Sequence, residues 1–277
     1  MSSRTPHIDA PEQFFTVPLG EVESLVTVSA SEASIARAHT HLVERQPRRE
    51  EETPATARAM QIVLHIEKSQ PPARSEILAA AARACVAACL VGDAGDEESL
   101  FYRRLDQWYG LKIRKVARRA HGAGWRRCHS VEGITVAQGQ AQARAFIPGL
   151  VSEVDKDVAR LQIKGTDLED DAPGPASSDG VLIAIDQSLK MSTGKAAAQV
   201  GHGSMLLAAS MSLAEVTRWA REGFPLSVRD VEHEDFVDLC ARPGAVVVQD
   251  AGYTEVSPGA YTVVAVPAGW ASAEANT

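Results

Sequence analysis

Two stretches of the chain carry the same hydrophobic pattern: an apolar run of strand length, a short break, then a long segment with helical periodicity. Met60–Ile66 (MQIVLHI) and Val181–Ile185 (VLIAI) read as buried strands. The first is followed by the turn Ser69-Gln70-Pro71-Pro72 and by Arg74–Leu90, an Ala-rich helix. The second is followed by Leu189–Leu207, LKMSTGKAAAQVGHGSMLL, in which Ser192 or Thr193 can cap the helix start. Beyond it, Ser212–Arg221 reads as a helix, Pro225–Val231 as a strand and Asp235–Cys240 as a helix. Ala245–Gln249 and Tyr261–Val266 read as strands. Strands alternating with helices predict an α/β fold, a three-layer α/β/α unit with a small mixed sheet.

Setting Ile62 against Ile183 is an offset of 121 residues, which puts Lys68 on Leu189 and Arg74 on Lys195. Later, Gly133-Ile134-Thr135-Val136 lines up with Gly252-Tyr253-Thr254-Glu255, and Gly139–Gly149 with Gly259–Gly269 after one gap. A period this long predicts a tandem repeat of two stacked domains rather than a solenoid. The expected boundaries are a flexible tail at 1–57, a first domain at 58–166, an acidic linker at 167–179 and a second domain at 180–277. In the tail, Ala30–Glu44 is expected to form a short helix with His39 and His41 on its surface. The copies differ chemically: Gln199 faces Leu78, His202 faces Ala81 and Asp250 faces Val131, so the first has lost most reactive groups.

A formal charge of −8 makes the concentration of bases between Arg103 and Arg127 stand out, since Asp106 is the only acid there. That segment, with Arg114, Lys115, Arg118 and Arg119 at its centre, has the composition of a phosphate-backbone footprint. Trp108, Tyr109 and Trp125 interleave with it and could stack on unpaired bases. The competing reading is a solvated basic face with its aromatics in the core. No apolar run has the length of a membrane span and no signal-peptide pattern is seen, so a cytoplasmic protein is expected. Cys85, Cys89, Cys128 and Cys240 lack zinc spacing, so reduced thiols and no metal are expected.

Lys195, Gln199 and His202 fall at i, i+4 and i+7 and share one helix face. Thr193-Gly194-Lys195 does not make a phosphate-binding loop: Leu189 stands where its first glycine belongs and Ala196 where its magnesium-holding hydroxyl belongs. The stretch instead resembles the signature helix of the type II, archaeal and eukaryotic-type, peptidyl-tRNA hydrolases, D-L-K-M-x-x-G-K-x-A-A-Q-x-x-H-A. Leu189, Lys190, Met191, Gly194, Lys195, Ala197, Ala198, Gln199 and His202 match it, while Ser188 and Gly203 depart. Asp250-Ala251-Gly252-Tyr253-Thr254, Pro258-Gly259 and Thr262-Val263-Val264 resemble the second signature, D-A-G-x-T-x-I-x-P-G-x-x-T-V. The resemblance spans roughly Val181 to Pro267.

It implies metal-independent hydrolysis of the ester of peptidyl-tRNA, with no cofactor. In that reading Asp250 orients or deprotonates water, and Lys195 stabilises the oxyanion or grips the terminal phosphate. Thr254 donates to the carbonyl or the ribose, and Lys190 and Gln199 orient the substrate. His202 is either the general base or a buried structural residue. Because this family typically forms homodimers of single-domain chains, the duplication suggests such a dimer made covalent. That would be an intrachain pseudo-dimer, monomeric in solution, with a degenerate N-terminal copy. Two other readings stay open: a catalytically silent tRNA- or protein-binding adaptor on the same fold, and hydrolysis of another acyl-tRNA ester.

Overall fold

The fold is built from two small sheets that share a strand order. The computed structural model describes residues 13–21, 28–45, 52–252 and 255–269. The N-terminal part contains β1 (Phe14–Thr16), β2 (Ser29–Ser31), α1 (Glu32–Val43), β3 (Arg58–His65), α2 (Arg74–Leu90) and α3 (Leu100–Tyr109). It continues with β4 (Lys115–Ala120), α4 (Gly122–Cys128), β5 (Gly133–Gln138), β6 (Ala141–Phe146), β7 (Gly149–Leu150) and α5 (Lys156–Ala159). The C-terminal part contains β8 (Val181–Asp186), α6 (Thr193–Ser210), α7 (Leu213–Arg221), β9 (Leu226–Val231), α8 (His233–Cys240), β10 (Val246–Gln249) and β11 (Tyr261–Val266).

The first sheet runs β4-β3-β6-β5 and the second β9-β8-β11-β10. In both, the central strand is parallel to one neighbour and antiparallel to the other: β3 to β4 and β6, β8 to β9 and β11. Ile62 lies opposite Ala145 and Ile183 opposite Ala265, so the correspondence carries through to the last strand, where the one-residue gap has brought the offset from 121 to 120. It fails at the strand between. Ile134 pairs with Ala145 as Val246 pairs with Ala265, so Thr135 matches Val247 rather than Thr254.

α2 and α6 pack against each other between the two sheets. α4 and α5 cover the outer face of the first sheet through Trp125, Cys128 and Val158 on Val63 and Phe146. α8 covers the outer face of the second through Phe236 and Leu239 on Leu182, Val264 and Val266. Each half is thus the α/β/α unit that the alternation predicts. With the helical turn that follows it, α2 makes a stretch, Arg74–Gly95, long and apolar enough to cross a membrane by composition. The inner faces of both sheets and α6 bury it instead, and its small side chains allow a close crossing. Ser204 Oγ donates to the Ala82 carbonyl across that crossing at 2.8 Å.

A Cβ at Gly201 would lie 2.7 Å from Cys85 Sγ and 3.1 Å from Lys115 Cδ. Gly201→Ala is therefore expected to force the two helices apart and cost about 1–3 kcal/mol in a urea titration. A loss below half a kcal/mol would show that the crossing yields freely.

Two expected boundary features come out differently. Described parts of the expected N-terminal tail are core: Val17, Leu19, Ile35, Ala38 and Leu42 are buried, the last three aligned along one face of α1. His39 is buried with Nε2 3.0 Å from the Ala208 carbonyl oxygen, and His41 stacks on Tyr102. Sparse apolar residues among many polar ones hid this in the composition. The acidic linker is also docked rather than free. Asp171 accepts from Ser75 N and Oγ at the start of α2, and Leu168 N donates to Thr193 Oγ1 at the start of α6, next to the bond from Gly194 N to Thr166 Oγ1.

Candidate active site

The site forms where α6 begins beneath the end of β10. Asp186, at the buried end of β8, accepts from Ser188 N and Oγ and lies 2.7 Å from His233 Nδ1. Burial pushes its carboxyl up, but the bonds from Ser188 and His233 more than reverse this and leave it below the usual carboxylate range. The turn so fixed puts Lys190 in the left-handed region, with φ 48°, exposed at the mouth of a cavity it shares with Arg74, Asp230 and Thr193. Ser192 then caps α6, its Oγ accepting from Lys195 N at 3.2 Å. Ser192 itself donates N–H and Oγ–H to the carboxylate of Glu255 at 2.9 and 2.8 Å.

One turn into the helix, Lys195 Nζ donates to Asp250 Oδ2 at 2.5 Å. Gln199 Nε2 donates to the same oxygen at 2.7 Å, and Gly252 N to Oδ1 at 2.7 Å. Lys195 and Asp250 side chains are each only 8% exposed. Thr262 Oγ1, fully buried, donates to Gln199 Oε1 at 2.7 Å and so fixes which end of that amide meets Asp250. The backbone of Asp250 is pinned by Asp250 N to Ala260 O and Gly259 N to Asp250 O. A carboxylate with three donors and a fixed backbone can orient a water on its remaining lone pairs, beside an ammonium able to stabilise an oxyanion.

The predicted site residues separate into two groups. Lys195, Gln199 and Asp250 meet; Lys190 stands at the adjoining surface; Thr254 lies outside the described residues. Both ends of Gln199's buried amide are engaged, Nε2 by Asp250 and Oε1 by Thr262. His202, two turns from Lys195, is half-buried, with Nδ1 3.2 Å from Lys115 Nζ. Burial first, then the charges of Lys115 and Lys195, hold its pKa well below the ordinary imidazole value.

The basic segment is not the continuous surface that its charge suggests. Lys115 is buried in the core, and Arg114 pairs with Glu52. Arg118 donates to Gln61 and to the carbonyls of Ala159 and Leu161, while Arg119 donates to Gly165 O. Trp108 and Tyr109 are core residues and Trp125 stacks on His65, so none is placed to stack on a base. Thr262 and Glu255 are the site residues that sequence reasoning passed over. Both lie in or beside the second signature, which was the available signal.

The peptidyl-tRNA hydrolase PTH2 family profile matches residues 180–273, the half that holds this cluster. A peptidyl-tRNA hydrolase of Methanopyrus kandleri is 39% identical over 93 residues, which cover 31% of this chain and 80% of that protein. The chain belongs to this family. A peptidyl-tRNA hydrolase of Pyrobaculum aerophilum is 38% identical over 98 residues, covering 81% of it. A probable peptidyl-tRNA hydrolase 2 of Caenorhabditis elegans is 37% identical over 97 residues. The chain spans only 31% of that nematode protein's length. The PTH2 match excludes β3 through α5, and so excludes the basic segment. All of the Lys195–Gln199–Asp250–Thr262 constellation lies inside it.

Proposed function

We propose that the protein is a peptidyl-tRNA hydrolase of the cytoplasm, acting without a metal. The observation that carries this reading is the convergence of Lys195, Gln199 and Gly252 N on one carboxylate, Asp250, within the PTH2 segment. Water held against Asp250 attacks the ester carbonyl and passes it a proton. Lys195 stabilises the oxyanion that forms, and collapse expels the ribose oxygen, which takes back from Asp250 the proton that the water gave up. Asp250 thus acts as base and Gln199, braced by Thr262, as its orienter. The test is release of tRNA from N-acetyl-aminoacyl-tRNA with EDTA present. Salt-dependent tRNA binding without cleavage would make the protein an adaptor instead.

The shared strand order of the two sheets supports a duplicated hydrolase unit whose first copy no longer carries the cluster, and hence a monomeric pseudo-dimer. That first half supplies grip on tRNA, through Arg119 of the footprint predicted at Arg114, Lys115, Arg118 and Arg119 but not through the other three, which are engaged elsewhere. At the carboxyl ends of β3 and β4, Lys68, Arg119, His121, Arg127 and Arg160 line a cavity of about 280 Å³ with no acidic side chain among its lining residues. Arg127 and Arg160 also touch Asp157, at 3.6 and 3.9 Å. Ligands in open α/β sheets settle at such strand ends. The lining residue Gln162 is four residues from Thr166, which holds the start of α6, so the cavity lies within about 15 Å of that start. Lys68→Gln/Arg127→Gln/Arg160→Gln is expected to raise KM for the tRNA ester about tenfold with kcat retained, and to flatten the log–log salt dependence of tRNA binding by about 2. An unchanged slope in filter binding would remove this cavity from the tRNA path.

A further inference from the structure

The glycine that precedes His202 admits a residue from the other half, while Gly203 packs on Val263, Ile183 and Ala265 of its own half. Gly201 has no Cβ to block Lys115, whose ammonium reaches His202 Nδ1 at 3.2 Å. Lys115 is buried, with Met205 Sδ 3.7 Å from Nζ and the Trp108 ring centroid 5.0 Å away. The groups that face it are the thiols of Cys85 and Cys89 from α2, Arg45 beyond α1, and His202 from α6. No carboxylate among the described residues is paired with it. An ammonium only donates. His202 Nδ1 therefore accepts, and the ring proton sits on Nε2. That nitrogen has no partner among the described residues. His202 is only partly buried and lies on the Lys195 face, about 10 Å along the axis at seven residues' rise.

We infer that His202 is a substrate-orienting donor rather than the general base, and that Lys115 of the N-terminal half is the positioning residue that fixes its tautomer. The inference rests on the hydrolase reading and deepens it. Nδ1 is occupied and Nε2 already protonated, so the imidazole has no lone pair with which to take a proton from water. What it offers is one N–H, suited to a phosphate or base oxygen. The N-terminal half thereby becomes part of the site.

His202 titrates below its unfolded value because burial and the charges of Lys115 and Lys195 oppose its protonation. Below the ordinary imidazole pKa of 6.5 the unfolded chain binds a proton that the native chain does not, so stability falls as pH drops through that value. Removing the Lys115 charge should shrink this dependence.

The test is a long-range ¹H–¹⁵N spectrum of histidine-labelled protein, with His202 assigned from His202→Gln, beside tRNA-ester kinetics. Wild type at pH 7 should show one His202 tautomer, protonated at Nε2. Lys115→Met, close in length and apolar, should give mixed tautomers and a ring that titrates nearer its ordinary pH. His202→Ala should raise KM about tenfold, as for one lost hydrogen bond, with kcat within about threefold. His202→Gln, which still offers an N–H at similar reach, should recover most of that loss. The inference is overturned if wild type carries the proton on Nδ1, if Lys115→Met leaves the tautomer unchanged, or if His202→Gln loses kcat a hundredfold. Should wild type cleave nothing, the hydrolase reading fails on its own. The spectrum and tRNA Kd values then still decide the Lys115–His202 relation.

Discussion

Asp250→Asn is expected to lower kcat for peptidyl-tRNA ester hydrolysis by about 10³-fold while leaving tRNA affinity within threefold, because it removes the base and nothing that faces the polynucleotide. The amide keeps the shape of the carboxylate and one acceptor oxygen. Gln199 and Gly252 N can therefore still be met in part, and the turn from Asp250 to Gly259 survives through its backbone bonds. Lys195→Met is expected to lower kcat by about 10²–10³, the usual cost of one lost oxyanion donor. The two sites differ in their effect on stability. Both side chains are almost buried, so Lys195→Met strands a carboxylate with only neutral donors, and several kcal/mol is the ordinary cost of breaking such a pair from one side. The double variant Lys195→Met/Asp250→Asn has no stranded charge. It should be more stable in urea than Lys195→Met alone and no more active than Asp250→Asn. A double variant that still cleaves would show that Asp250 is only the structural partner of Lys195. Single-turnover kinetics on N-acetyl-aminoacyl-tRNA separate the chemical step from product release.

Much of this site was legible because its parts are local. Lys195 and Gln199 share a face by helical arithmetic, and Asp250 sits in a turn that Gly252, at φ +78, permits. The two-sheet plan was likewise visible in the repeated strand–turn–helix pattern. What was hidden depends on where long polar side chains go once the halves stack. Lys115 reads as one more base in a basic run, yet it alternates inward along β4 with Ala117, while Val116 and Arg118 point the other way. Gln199 reads as a substrate contact because Thr262, its anchor, lies 63 residues away. The linker reads as solvated because its acids are conspicuous and their partners, Ser75 and Arg74, sit a hundred residues earlier. The one slip in the alignment of the two halves has the same origin. Matching glycines drew Gly133 onto Gly252, whereas hydrogen-bond register puts β5 on β10.

Arg74→Met is expected to cost about 3–5 kcal/mol of stability, the largest loss for any single substitution at the contact between the halves. Arg74 opens α2 and is 5% exposed. Its guanidinium is bidentate on Asp230 at the end of β9, through Nε and Nη2 at 3.1 and 3.2 Å. It also donates to Thr193 Oγ1 at 2.8 Å, meets the Met191 carbonyl, and has Asp170 of the linker at 3.0 Å. One side chain therefore holds the linker, the start of α6 and the edge strand of the second sheet. Methionine fills the volume but leaves Asp230, 19% exposed, with an unpaired charge, which is what makes the loss large. Arg74→Lys keeps the charge without the planar fork and should fall between. Arg74→Met/Asp230→Asn should regain most of the loss, and the coupling from that cycle measures the pair itself. A loss below 1 kcal/mol would mean that the apolar contact of α2 with α6 holds the halves alone. On the 121-residue offset, Arg74 stands where Lys195 stands in the second half. A cation near the same helix start thus grips an aspartate in both halves, as a clamp between the halves in one and as the Lys195–Asp250 pair of the candidate site in the other.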